Sequence, residues 1–208
     1  SGDFYWIKEL EYEVLIAVVD CTGHGVPGAF MSLHAYNHLE HVVTGKGSFS
    51  TATILDELNQ AIVRTMGSEG DLGSVKNGMD ISLLKLNKQT GEVEFSGAHN
   101  SGLIMRANET IELKADAMPI GNLAQTKFTS KKEKLMAGDM IYLFTDGYKD
   151  QKGGPENKRF FIVPFKEMLK EIAQTDCAEQ RNILLNKLND WKGVHEQIDD
   201  ICVLGIKI

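Results

Sequence analysis

Acidic residues stand at three places where apolar runs stop or start. "LIAVVD" ends at Asp20, "MIYLFTDG" places Asp146 after a second run, and Asp199 with Asp200 precedes the closing run "ICVLGIKI". One aspartate at a strand end is ordinarily a turn former. Three such places matter more, because carboxylates that meet repel one another unless a cation neutralises them. If the last strand runs antiparallel beside Met140–Thr145, Asp146 and Asp199 meet at one edge, where Asp20 can join them. An oxygen-rich site with few histidines suits a hard ion such as Mg²⁺ or Mn²⁺ better than Zn²⁺.

Asp20 also opens the turn "DCTGHGVPGAF", in which Gly23, Gly25 and Gly28 spell the G-x-G-x-x-G of a dinucleotide-binding loop. That motif needs a βαβ unit and an acidic residue about 20 positions further on. Glu40 is nominally that residue but falls inside an expected helix, and Asp20 would repel a pyrophosphate at the helix N-terminus. Two readings stay open: glycines that only permit a tight turn, and a turn that aims Asp20 at a cation. His34, His38 and His41 share a helix face at i, i+4 and i+7, either a zinc site or a polar face; no H-E-x-x-H pattern accompanies them. Cys21 beside His24 lacks the nearby arginine of a cysteine phosphatase and reads as a small apolar filler. Lys149, Lys152, Lys158 and Arg159 follow Asp146 and read either as a contact for an acidic or phosphorylated partner or as a solvated loop. Trp6 and Trp191 read as core packing.

The elements that must position these residues follow from the pattern. Phe4–Ile7 and Val14–Val19 read as paired strands, and Val26–Val43 as a helix with Pro27 near its start. Ser50 caps a second helix whose Ile54, Leu55, Leu58, Ile62 and Met66 form a core face. A glycine-rich linker, Gly67–Gly78, leads into a meander of Met79–Leu86, Val93–Ser96 and Leu103–Arg106. Thr110–Leu113, Thr126–Leu135 and Met140–Thr145 continue it. Helices over Val163–Ile172 and Ala178–Leu188 precede a last strand, Ile201–Ile208. Blocks segregated in this order favour a layered α+β domain over a doubly wound sheet.

The 208 residues suffice for one sizeable core, read as a single domain over 1–208 and expected to be excised from a longer regulated protein. A net charge of −7 argues against nucleic-acid partners and anionic membrane surfaces. Three scattered cysteines suit reduced thiols in a cytoplasmic setting. No apolar run approaches the ~18 residues of a membrane span.

The motifs "SGDFYW", "DCTGHGVPGAFMS", "GAHNSG", "MPIG", "AGDMIYLFTDGYKDQ" and "DDICVLGI" together resemble, in order and spacing, the SpoIIE-like bacterial branch of the metal-dependent protein phosphatases, the protein phosphatase 2C superfamily. The resemblance covers nearly the whole chain. It implies a four-layer α-β-β-α sandwich without a large flap subdomain, two Mn²⁺ or Mg²⁺ ions at one end, and hydrolysis of phosphoserine or phosphothreonine on a protein by a metal-activated water. By resemblance, Asp20 bridges both metals and the Cys21 carbonyl is a ligand beside it. Asp146 and Asp199 hold the first metal, with Asp200 as the alternative to Asp199. Asp3 sits at or just outside the metal shell. His99 falls where longer relatives hold a third metal with an aspartate. His24 is the candidate general acid, although it lies four residues after Asp20 where longer relatives have a histidine at two. Ser1 and Trp6 replace the usual ends of the G-G-D-F-Y-D motif, and the phosphate-binding arginine of longer relatives would fall upstream of Ser1. The resemblance further implies a phosphorylated bacterial signalling protein as substrate, such as an anti-sigma-factor antagonist, and an attached or partner sensor domain. It leaves open a homodimer and a larger, membrane-anchored parent. The competing reading is a catalytically weak, phosphatase-like interaction module.

Overall fold

The computed structural model describes residues 2–21, 26–45, 49–66, 78–107, 109–121 and 127–208. His24, Gly23, Gly25 and nearly all of the expected Gly67–Gly78 linker lie outside the described residues.

Strands β1 (Phe4–Glu9) and β2 (Glu13–Cys21) form a hairpin, followed by helices α1 (Val26–Gly45) and α2 (Thr51–Met66). Strands β3 (Met79–Asn87), β4 (Glu92–Ala98), β5 (Gly102–Arg106), β6 (Glu109–Leu113), β7 (Lys131–Lys134) and β8 (Met140–Phe144) come next. A one-turn helix, α3 (Gly147–Asp150), and a small hairpin, β9 (Lys152–Gly153) with β10 (Lys158–Arg159), lead to α4 (Ile162–Ile172), α5 (Cys177–Lys192) and β11 (Val203–Lys207). One sheet has the order β1-β2-β3-β4-β7 and the other β11-β8-β5-β6, every pairing antiparallel.

Alternation along the strands explains the stacking, since successive side chains leave opposite faces of a sheet. In β2, Ala17 and Val19 face α1 and α2, where they meet Leu39, Leu55, Leu58 and Ile62. Their neighbours Ile16 and Val18 face the other sheet and pack with Phe95, Ile104, Ile141 and Leu143. On the far side of that sheet, Tyr142 and Phe144 pack against Phe165 and Leu169 of α4 and Leu188 of α5. The order of layers is helices, sheet, sheet, helices. Ser50 caps α2 through Oγ, which accepts from the Thr53 amide at 3.1 Å.

Two expectations needed correction. Thr126–Leu135 is not one strand: only Lys131–Lys134 pairs, with β4. The preceding amides are spent on side chains, Phe128 N–H on Asp56 and Thr129 N–H on Asp116, which leaves no ladder there. The last strand is shorter than Ile201–Ile208, because the Cys202 amide donates to Thr145 Oγ1. Trp6 is core, as its sequence reading has it, and its indole N–H donates to Glu40 Oε1 at 2.8 Å, tying β1 to α1. Among the described residues no helix is long and apolar enough to cross a membrane.

Candidate functional site

The two hairpin-like returns of the fold end at the same end of the sandwich. β2 delivers Asp20 and Cys21, and Asp20 lies opposite Asp80 at the start of β3. Phe4 pairs with Val19, so Asp3 leads into β1 beside the end of β2. In the other sheet Val203 pairs with Phe144, which sets Asp199 and Asp200, just before β11, against Thr145 and Asp146, just after β8. The Thr145 amide donates to the Cys202 carbonyl at 3.0 Å and fixes this crossing.

Tight contacts hold the pieces together. The Gly2 amide donates to Asp200 Oδ2 at 2.7 Å, and Ser32 Oγ of α1 donates to the Gly2 carbonyl at 2.6 Å. A Cβ on Gly147 would lie 1.9 Å from the Asp200 carbonyl oxygen, so only glycine lets α3 begin this close to the segment before β11. Asp146 stands at the N-terminal end of α3, and its Oδ2 lies 3.8 Å from Lys149 Nζ.

The electrostatics are those of crowded carboxylates. Burial, followed by Asp3, Asp146, Asp80 and Asp199, holds Asp20 well above the usual carboxylate range. Burial first, then Asp200 and Asp199, raises Asp3, against hydrogen bonds from Thr145 and Asp20. Asp199 is raised by burial and by Asp146, Asp200 and Asp150. Burial pushes the Cys21 thiol up to about 12, which makes it a packing group rather than a nucleophile.

Asp3 Oδ2 is buried without a hydrogen-bond partner. An orphaned carboxylate oxygen is costly, and here it belongs to a set of oxygen donors that fits a hard divalent cation. The carboxylates are neighbours rather than a closed cage: among the described residues no three Asp, Glu, His or Cys side chains surround a common point.

Of the residues singled out in the sequence, Asp3, Asp20, Asp146, Asp199 and Asp200 come to one end of the sandwich, with Cys21 next to Asp20. His99 is drawn in through Asp80, whose Oδ2 lies 2.6 Å from His99 Nδ1. Asp80 itself escaped sequence reading. Burial raises it, the His99 hydrogen bond lowers it, and it also feels Asp146. Its only signal was an acidic residue at the start of a strand, which has meaning once the β2–β3 register is known. On α1, His34 and His38 stack with ring centroids 6.4 Å apart.

Comparison with known proteins agrees with this geometry. Residues 11–208 match the family model described as Stage II sporulation protein E (SpoIIE). The chain is 24% identical to the phosphoserine phosphatase RsbU of Bacillus subtilis (strain 168), over 92% of this chain and 56% of that protein. It spans between 24% and 56% of the length of the curated relatives it matches. The SiaA-PP2C domain of Pseudomonas aeruginosa superposes over all of this chain and 80% of that one, with a TM-score of 0.89 and 34% identity. A structure of RsbX in complex with magnesium covers 98% of this chain and 86% of that one, with a TM-score of 0.68 and 18% identity. The chain therefore belongs to the Stage II sporulation protein E (SpoIIE) family and has its PP2C-like α+β fold.

Proposed function

We propose that this chain is a divalent-metal-dependent serine/threonine phosphoprotein phosphatase. The observation that carries the reading is the convergence of Asp3, Asp20, Asp146 and Asp199 at one sandwich end, where an orphaned carboxylate oxygen calls for a cation. Asp20, Asp146 and Asp199 hold Mn²⁺ or Mg²⁺, two ions in all, with the Cys21 carbonyl, Asp3 and Asp200 at the margin of the set. When bound, the cations acidify a water and neutralise the charge that gathers on the phosphoryl oxygens. The carboxylates fix where that charge is met, and the packed ends of β2, β8 and β11 keep them there. Water attacks phosphorus in line, so no covalent intermediate with the enzyme is required. Asp20 is the least replaceable residue because it faces both halves of the carboxylate set.

The substrate is read as a phosphorylated bacterial signalling protein, with an anti-sigma-factor antagonist as the leading type. The chain is read as one phosphatase domain under an attached or partner sensor domain, working on the cytoplasmic side. RsbU, named a phosphoserine phosphatase, supports the phosphoserine chemistry. The test is hydrolysis of p-nitrophenyl phosphate with and without Mn²⁺. Asp20→Asn and Asp146→Asn are each expected to lower kcat by at least about a hundredfold, the scale set by losing a preorganised charge-stabilising group. Metal-independent turnover, or full activity in both variants, overturns the reading.

A further inference from the structure

The loop between β4 and β5 holds a histidine in a conformation that needs explaining. His99 has φ +61°, in the left-handed region that costs a non-glycine residue energy, and its ring is mostly exposed. The turn is fastened at several points. The His99 amide donates to the Asp116 carbonyl at 2.8 Å, and Ser82 Oγ donates to the Asn100 carbonyl at 2.9 Å. Asn100 Nδ2 donates to the Phe144 carbonyl at 2.7 Å, which anchors the turn two residues before Asp146. The ring is anchored as well, by Nδ1 donating to Asp80 Oδ2 at 2.6 Å, and Asp80 faces Asp20 across the β2–β3 ladder. A left-handed turn, a pinned ring and an aspartate partner thus hold the His99 imidazole at the sandwich end that carries Asp20 and Asp146.

We propose that His99 is the general acid that protonates the leaving serine or threonine oxygen, with Asp80 as its positioning residue. The inference rests on the phosphatase reading above and assigns His99 a role other than holding a metal. A serine alkoxide is a poor leaving group, and a positioned proton donor is what such a step lacks. As the attacking water oxygen forms its bond to phosphorus, the P–Oγ bond breaks and its electron pair goes to Oγ. Oγ takes the proton from His99 Nε2. The imidazole keeps its Nδ1–H on Asp80 and regains the Nε2 proton from solvent. Phosphoserine and water thereby give serine and inorganic phosphate. Asp80 holds the ring through Nδ1, the orienting job an aspartate does for histidine in hydrolytic triads.

The test varies the leaving group. His99→Asn is the variant of choice, since asparagine tolerates the left-handed turn. Wild type, His99→Asn and Asp80→Asn are assayed with Mn²⁺ on a phosphoserine peptide and on p-nitrophenyl phosphate, whose leaving group departs without needing a proton. His99→Asn is expected to lose about 10²–10⁴-fold in kcat on the peptide and less than about tenfold on p-nitrophenyl phosphate. Asp80→Asn should show a smaller loss with the same bias. Equal losses on both substrates, or an undiminished peptide rate, overturn the assignment. A wild-type protein that hydrolyses p-nitrophenyl phosphate only without metal overturns the phosphatase reading instead, and one that hydrolyses neither substrate overturns both.

Discussion

Replacing Gly147 with alanine puts the packing of the site to a direct test. The added Cβ would sit 1.9 Å from the Asp200 carbonyl oxygen and 2.9 Å from its carbon. Ordinary contact begins at 3.4 Å, so the two segments must part by about 1.5 Å. Neither can yield by rotating a side chain, because the obstacle is backbone. Alanine also suits the α3 helix better than glycine does, so no loss comes from propensity. Overpacking of this kind costs about 1–3 kcal/mol, which for a chain of this size lowers Tm by roughly 2–12 °C. The separation falls between Asp146 on one side and Asp199–Asp200 on the other. A 1 Å misplacement of a reacting group costs on the order of a hundredfold in rate, so kcat should fall by at least that much at temperatures where the variant is folded. Gly91→Ala is the control. Gly91 has φ +64° with nothing within 4 Å of the place a Cβ would take, and it lies in the β3–β4 turn at the opposite end of the strands. It should lose about 1 kcal/mol and keep its activity. Thermal melts with p-nitrophenyl phosphate kinetics read both quantities. A Gly147→Ala variant with unchanged Tm and rate would refute the claim that this close approach positions the carboxylates.

Two further predictions concern charge. Burial would raise Asp139, but Arg106 and the Met136 amide bind its carboxylate, with Arg106 Nη2 at 2.8 Å, and their net effect is to hold it below the usual carboxylate range. Its folded-state pKa is therefore lower than the unfolded one, so its stabilisation is complete above about pH 4 and is lost as pH falls through the lowered value. Asp139→Ala should cost about 3 kcal/mol at neutral pH and flatten the acid limb of stability against pH, measured by urea unfolding. An unchanged acid limb would remove Asp139 from the account. For Asp20 and Asp3 the sign is opposite: both are raised, so the metal-free fold holds these protons more tightly than the unfolded chain. Their contribution to stability is fully present below the ordinary carboxylate range and is lost as pH rises through the raised values. Mn²⁺ competes with those protons, so the gain in Tm on adding it should be larger near pH 8 than near pH 5.5. A gain independent of pH would show that the ion binds elsewhere.

The sequence was informative where chemistry depends on local pattern. Asp20, Asp146 and Asp199 could be picked out because each borders an apolar run, and the antiparallel neighbourhood of the last strand and Met140–Thr145 is what the ladder shows. Ile54, Leu55, Leu58 and Ile62 are all buried, as a helical stripe demands. It was silent where meaning depends on register or on a side chain reaching across the fold. Asp80 acquires its place only because β2 and β3 pair residue for residue over their length. Phe128 and Thr129 carry a strand-like pattern, yet Asp56 and Asp116 capture their amides from distant elements. A four-residue helix such as α3 is too short for any periodicity to announce.

Gathering carboxylates at one sandwich end works against folding, and the arrangement of the rest of the molecule shows how the fold tolerates it. Apolar packing is concentrated in three layers behind the site: Ile16, Val18 and Leu143 between the sheets, Val19 with Leu58 on one face, and Phe144 with Phe165 on the other. The strands that carry the acids are the ones these layers clamp, so Asp20 and Asp146 cannot drift apart without opening a core. What remains adjustable lies outside the clamp, in Asp3 and in Asp199, which precedes the Asp200 backbone packed against Gly147. A cation that binds here therefore has little backbone to order on the β2 and β8 side and more on the other. Metal binding should accordingly tighten the segments around Asp3 and Asp199 more than the strand ends that carry Asp20 and Asp146.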